Sequence, residues 1–202
     1  AKEPGDYRGA IGKPKNIIIR NATIWTCGPS GVITNSSMRV TNGRISAIGD
    51  VIGPVTEPDT VLIDGAGKHI TPGLIDCHNH SMILGGVNEG TLPSSAMVRI
   101  SDVVNSETEN IYRQLAGGLT VANLLHGSAN PIGGQNAVIK LRHGELPDDL
   151  VFKEAPLGIK FALGENVKQS NWGDEKKNRF PQTRMGVKTF FVNRFTAARQ
   201  YL

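Results

Sequence analysis

Five histidines occur in the 202 residues, and two of them, His78 and His80, stand one residue apart at the end of the run TPGLIDCHNH, residues 71–80. In an extended strand, residues i and i+2 point to the same side. The two imidazoles should therefore project together, with Asp76 one layer below and Cys77 and Asn79 on the opposite side. Two imidazoles so placed can bind one divalent ion at metal–nitrogen distances of about 2.0–2.1 Å. An isolated His-x-His is also common at ordinary polar strand ends. Here it follows an apolar strand and precedes the glycine-containing segment SMILGGVNEG.

The elements around this pair define what positions it. NIIIRNATIWT (16–26) reads as β, GPSG (28–31) as a turn, and MRVTNGRISAIG (38–49) as a hairpin. In that hairpin Asn42-Gly43 supplies the positive φ angles of a type I′ turn. TVLIDGAGKHITPG (60–73) adds a strand and a glycine turn. The first 70 residues therefore read as a small all-β unit, preceded by a polar arm over 1–14.

The pattern changes after Pro72. GLIDCHNH reads as a buried strand, and LTVANLL (119–125) as a second. Between them the second half of 97–118 is helical, with Ile111 and Leu115 on its apolar face. Ser106 and Glu109 form a capping box for it, and Gly117-Gly118 ends it. Strand, helix, strand predicts a parallel pair. The histidines then lie at the C-terminal end of a strand, where barrels built from such units place their chemistry. NAVIKLR (136–142) is a third strand, either of a barrel or of a local hairpin, and LGIKFAL (157–163) is a fourth. The segment 183–202 reads as a helix with Val187, Phe190, Phe191, Phe195 and Ala198 on one face. HGSANPIGGQNAV reads as a loop of small residues packed close over a site. No helix start follows Gly133-Gly134, so this is not a phosphate cradle.

Composition narrows the function classes. Hydrophobic residues make up 39% and charged residues 20%, ordinary values for a folded domain. The net charge of +4 is not gathered on a face interleaved with aromatics, which argues against nucleic-acid binding. No apolar run is long enough to cross a membrane. No signal peptide is visible, and the localisation stays open between cytoplasm and export. Cys27 and Cys77 read as buried thiols, with a single disulfide as the alternative. Asn21 and Asn35 stand in short Asn-x-Ser/Thr matches.

HITPGLIDCHNHS resembles the first barrel strand of the amidohydrolase superfamily of metal-dependent hydrolases. The VTNGRISAIG hairpin and the VLIDGAGKHITPG lead-in resemble that family's N-terminal sandwich segment. LAGGLTVANLLHG resembles the helix end and second barrel strand. The resemblance covers residues 16–130 most closely. It implies an α/β fold, the N-terminal part of a (β/α)₈ TIM barrel preceded by a small β-sandwich segment. The sandwich would occupy 15–70 and the partial barrel 71–202.

The implied activity is hydrolysis of a C–N bond, amide or cyclic amide, through a metal-activated water, closest to the imidazolonepropionase- or dipeptidase-like branch. The implied ligands are His78, His80 and, as the middle-strand lysine, Lys160 in LGIKFALGEN, with Glu165 as the alternative to Lys160. The implied cofactor is one or two divalent ions, with zinc expected, and the substrate a small or short peptide-like molecule. Asp76 is expected to steady an imidazole, and His126 to touch substrate at the barrel mouth or to be a hydrogen-bonded rim residue. Arg184 is a candidate for a substrate carboxylate or a solvated residue. His143 is expected in solvent and His69 in a structural place.

The sequence also departs from the family. After His80 only His126 and His143 remain, so the later histidines and the late aspartate of the pattern are not found. With 70 residues in the sandwich, the remainder is about half of the roughly 250 residues a barrel takes. The chain therefore reads as the N-terminal portion of a longer enzyme. The alternative is a non-catalytic piece that assembles with another chain, with its missing C-terminal half or as an oligomer.

Overall fold

The computed structural model describes residues 14–50, 55, 57–175 and 178–202. The arm expected over 1–14 lies outside them except for Pro14. The fold is mixed α/β, in two compact units, Ala1–Pro72 and Gly73–Leu202.

The first unit is one sheet of five strands: β1 (Asn16–Trp25), β2 (Val32–Thr41), β3 (Arg44–Gly49), β4 (Thr60–Asp64) and β5 (His69–Ile70). The order is β3-β2-β1-β4, and β5 also pairs with β1. β1 and β2 run antiparallel, whereas β4 and β5 run parallel to β1. Asn42 and Gly43, at φ 51° and 74°, close the β2–β3 hairpin from Thr41 to Arg44. Only residues that tolerate left-handed backbone fit both turn positions. Ala22, Ile24 and Met38 form the core, with Ile19, Val40 and Ile70 against it.

The second unit holds β6 (Leu74–Asn79), α1 (Glu109–Ala116), β7 (Leu119–Leu124), β8 (Ile132–Gln135), β9 (Ala137–Lys140), α2 (Pro147–Leu150), β10 (Ile159–Phe161) and α3 (Arg184–Tyr201). β6 and β7 are parallel, as a strand–helix–strand unit requires. β9 runs antiparallel to β7, so NAVIKLR takes the local antiparallel place. β10 pairs with β8 in a separate two-stranded sheet. The segment expected as a glycine loop thus contains strand β8. Ile111 of α1 shares one core with Ala122, Leu124, Ala137, Ile139 and Leu141 and with Met82, Ile100, Val104 and Leu150.

Several local expectations are corrected. Thr108, not Ser106, caps α1, its Oγ1 accepting from the Asn110 N–H at 3.3 Å. Glu109 pairs with Arg113 one turn on. Either hydroxyl precedes the helix by a workable spacing, and the one next to the first helical residue takes the cap. β6 is not buried: Leu74 is 61% and Ile75 71% exposed. It is the edge of the β6-β7-β9 sheet, so it is covered from one side only. Cys27 and Cys77 are free and exposed. In α3, Val187 and Phe190 are buried, but Phe195 and Ala198 are exposed.

Candidate functional site

The β6–β7 pairing explains how the histidines are presented. Asp76 pairs with Ala122 and Asn79 with Leu124, so β6 carries one residue more than β7 between these points. Such a bulge shifts the alternation of side chains by one place. Asp76 and Asn79 therefore both accompany residues of the helix-side core, while His78 and His80 are exposed. Their Nε2 atoms stand 2.9 Å apart, with the rings edge to face at a centroid distance of 4.7 Å. The Lys160 Nζ lies 3.2 Å from His78 Nε2. His80 Nδ1 sits 2.8 Å from the Leu125 carbonyl oxygen, which holds Nδ1 protonated and leaves Nε2 its lone pair. The Lys160 ammonium pushes the His78 imidazole below its usual pKa range, with burial and His80 adding to the shift and Asp76 opposing it.

Asp76 does not touch an imidazole. Its carboxylate accepts from the His78 backbone N–H at 3.0 Å and from Asn79 Nδ2 at 2.8 Å, and these two bonds hold it below the ordinary carboxylate range. The bulge is the reason, because it turns Asp76 to the helix side. There Asn79 also donates to Gln114 Oε1 and accepts from the Ser81 N–H and hydroxyl, while Gln114 Nε2 donates to Ser81 Oγ. Asp76, Asn79, Ser81 and Gln114 thus clamp both ends of the bulge that carries His78. Asn79→Ala strands several of these groups in a largely buried place. The expected result is a loss of about 1–3 kcal/mol in denaturant unfolding.

His126 is 4% exposed and lies beneath Gly133 and Gly134, not on an open mouth. Its Nε2 has no hydrogen-bond partner among the described residues. Burial pushes its pKa down, against the carbonyls of Gln135, Val98 and Val87, which favour the charged ring. A folded-state pKa below the unfolded value of about 6.5 means that the native state binds fewer protons. This contribution to stability is therefore full above about pH 6.5 and is lost as pH falls through the lower folded pKa. Thermal melts between pH 7.5 and 5 should show Tm falling with acid, and His126→Gln should flatten that slope.

The remaining candidates are dispersed. Glu165 is exposed and pairs with Lys168 and Arg184, so both Glu165 and Arg184 are engaged with surface partners. His143 is exposed beside the Tyr112 ring. His69 accepts from Trp25 Nε1 at 2.9 Å within the first sheet. Cys77 lines an open cleft of about 540 Å³ with Ile75, Val121 and Asn123.

The donor set suits a divalent ion. Two ligands at about 2.0–2.1 Å from a tetrahedral ion stand about 3.3 Å apart. The 2.9 Å and 3.2 Å separations around His78 Nε2 lie within a few tenths of that value. Among the described residues no three His, Cys, Asp or Glu side chains converge, so the third donor in reach is the lysine amine. Sequence reasoning missed Asn79, Ser81, Gln114, Asn123 and Asn136. A polar Asn79 inside a strand is the one local signal that any of them gave.

No family model matches the chain. It is 29% identical to amidohydrolase tasK of Hapsidospora irregularis, over 96% of this chain and 22% of that protein. It is 39% identical to an imidazolonepropionase of Klebsiella pneumoniae, over 36% of this chain and 18% of that one. A solved amidohydrolase from Thermotoga maritima superposes with a TM-score of 0.77 at 34% identity, over 92% of this chain and 48% of that chain. The chain thus spans about half the length of this solved relative and about a fifth of the two curated ones. With the histidine pair at the end of a parallel strand, these likenesses place it: the chain belongs to the amidohydrolase superfamily and corresponds to the N-terminal portion of its members.

Proposed function

We propose that this chain carries the first metal-binding segment of a hydrolase that cleaves a C–N bond in a small amide or cyclic amide. The observation that carries the reading is that His80 Nε2 and Lys160 Nζ both lie close to His78 Nε2, at 2.9 Å and 3.2 Å. The similarity to amidohydrolases and an imidazolonepropionase supports the bond type. Residues 15–70 would serve as the family's β-sandwich segment and residues 71–202 as the opening part of its (β/α)₈ barrel.

His78, His80 and Lys160 would hold the ion, with zinc the expected choice for two imidazoles. When bound, such an ion polarises a carbonyl and acidifies water. The chain's own residues supply the frame. The Leu125 carbonyl fixes the His80 tautomer, and the Asp76–Asn79–Ser81–Gln114 clamp fixes the bulge that carries His78. Lys160 is half-buried, and as an ammonium it opposes a cation, so as a ligand it would be carboxylated, as lysines of this family often are, and would bind through a carbamate oxygen rather than Nζ.

The test is the divalent-metal content of the purified 202-residue chain, compared with the double variant His78→Ala/His80→Ala. About one or more ions per chain in the wild type, lost in the variant, is the expected result. No metal in the wild type, or equal metal in both, overturns the reading.

A further inference from the structure

The two sides of the proposed centre stand on different sheets. His78 and His80 come from the end of β6, which pairs with β7, and Lys160 comes from β10, which pairs with β8. No strand pairing among the described residues joins β6 to β10. β10 is three residues long and meets β8 at only two positions, Ile159 with Gln135 and Phe161 with Ile132. β8 joins β9 of the other sheet through the single residue Asn136, so the bonds around that joint bear on the approach of Lys160 to His78.

Two asparagines span the gap. Asn123 Nδ2 donates to the carbonyl of Cys77, the residue before His78, at 3.2 Å. Asn136 Nδ2 donates to Asn123 Oδ1 at 2.8 Å. The N–H of Gly158, two residues before Lys160, donates to Asn136 Oδ1 at 2.6 Å, and the Asn136 N–H returns a bond to the Gly158 carbonyl at 3.0 Å. The chain of bonds has one possible direction. A carbonyl at the Cys77 end demands a donor, and an N–H at the Gly158 end demands an acceptor, so each amide must offer one of each. Both asparagines are half-buried, where an unmet amide is costly.

We infer that Asn123 and Asn136 are positioning residues that set the separation between Lys160 and the histidine pair. The inference rests on the metal-site reading above. It goes beyond it by assigning the geometry of the site to a side-chain relay between two sheets. Aspartate cannot replace Asn136. It keeps the acceptor for Gly158 but presents an oxygen to Asn123 Oδ1, so Asn123 must turn over and release the Cys77 carbonyl.

The experiment titrates the 202-residue chain with Co²⁺, following its visible absorption, for wild type, Asn136→Ala, Asn136→Asp, Lys160→Ala and Asn136→Ala/Lys160→Ala. Asn136→Ala and Asn136→Asp are each expected to weaken Co²⁺ binding roughly 10-fold and to change the spectrum at saturation, as partners behind metal ligands do. In the Lys160→Ala background Asn136→Ala should cost nothing more, because the relay then has no lysine to place. Unchanged affinity and spectrum in Asn136→Ala overturn the inference, and so does an equal loss with and without Lys160. If Asn136→Ala does not fold, Asn123→Ala carries the same comparison. If neither folds, the relay is structural and the inference fails. A wild type that binds no Co²⁺ is a different failure: it removes the metal-site reading itself, and this inference with it.

Discussion

On the proposed metal-site reading, His78→Ala is expected to weaken divalent-metal binding by roughly 100-fold or more, and by more than either His80→Ala or Lys160→Ala. Residues behind a metal ligand already cost about 10–100-fold, so loss of a ligand starts at the top of that range. The order among the three follows from position. His78 Nε2 is the central atom, 2.9 Å from His80 Nε2 and 3.2 Å from Lys160 Nζ. Its loss removes both of these close approaches at once. Isothermal titration with Zn²⁺ on the three single variants checks the order. A His80→Ala loss larger than that of His78→Ala would place the ion away from Lys160.

Gly134→Ala costs about 3 kcal/mol or more and lowers Tm by roughly 10 °C. A methyl group at Gly134 would fall well inside contact distance of both the His126 ring and the Val98 carbonyl oxygen. The ring has no space to retreat, since His126 is buried, and the Val98 carbonyl accepts the Gln135 N–H at 2.8 Å. Overpacking against backbone is relieved only by moving the backbone, which puts the change at the upper end of such costs. Circular-dichroism melts of Gly134→Ala beside Gly164→Ala, where open space surrounds the added group, separate the contact from a general effect of losing glycine.

The parts of the fold that were legible in the sequence are those fixed by local chemistry. Asn42-Gly43 demanded its hairpin, and strand, helix, strand around Ile111 demanded the parallel pair. The His-x-His spacing predicts that His78 and His80 meet, and they do, although His80 stands one residue past β6. The misreadings arise where a distant partner decides. The apolar GLIDC run signals burial, yet β6 lies at a sheet edge and exposes Ile75. A bulge adds one residue without marking the composition, so Asp76 turned to the helix side unannounced. Gly133-Gly134 read as a loop because two glycines disfavour a strand. Here His126 and the Val98 carbonyl leave no room for a side chain at Gly134, and His126 and Lys160 crowd Gly133. Asn123 and Asn136 could not be found at all, because 13 residues separate them and only the fold brings their amides together.

The Asn42-Gly43 turn has a further consequence, in the lifetime of the molecule rather than its fold. Left-handed backbone selects asparagine and glycine at an exposed tip. In that same pair the side-chain amide carbon faces the least hindered backbone nitrogen a chain can offer. Attack by that nitrogen releases ammonia and leaves aspartate or isoaspartate after hydrolysis. The residue pair that sets the register of β2 and β3 is therefore also the place where the protein ages chemically. Stored samples should gain negative charge there, while the buried Asn79 and Asn130 keep their amides.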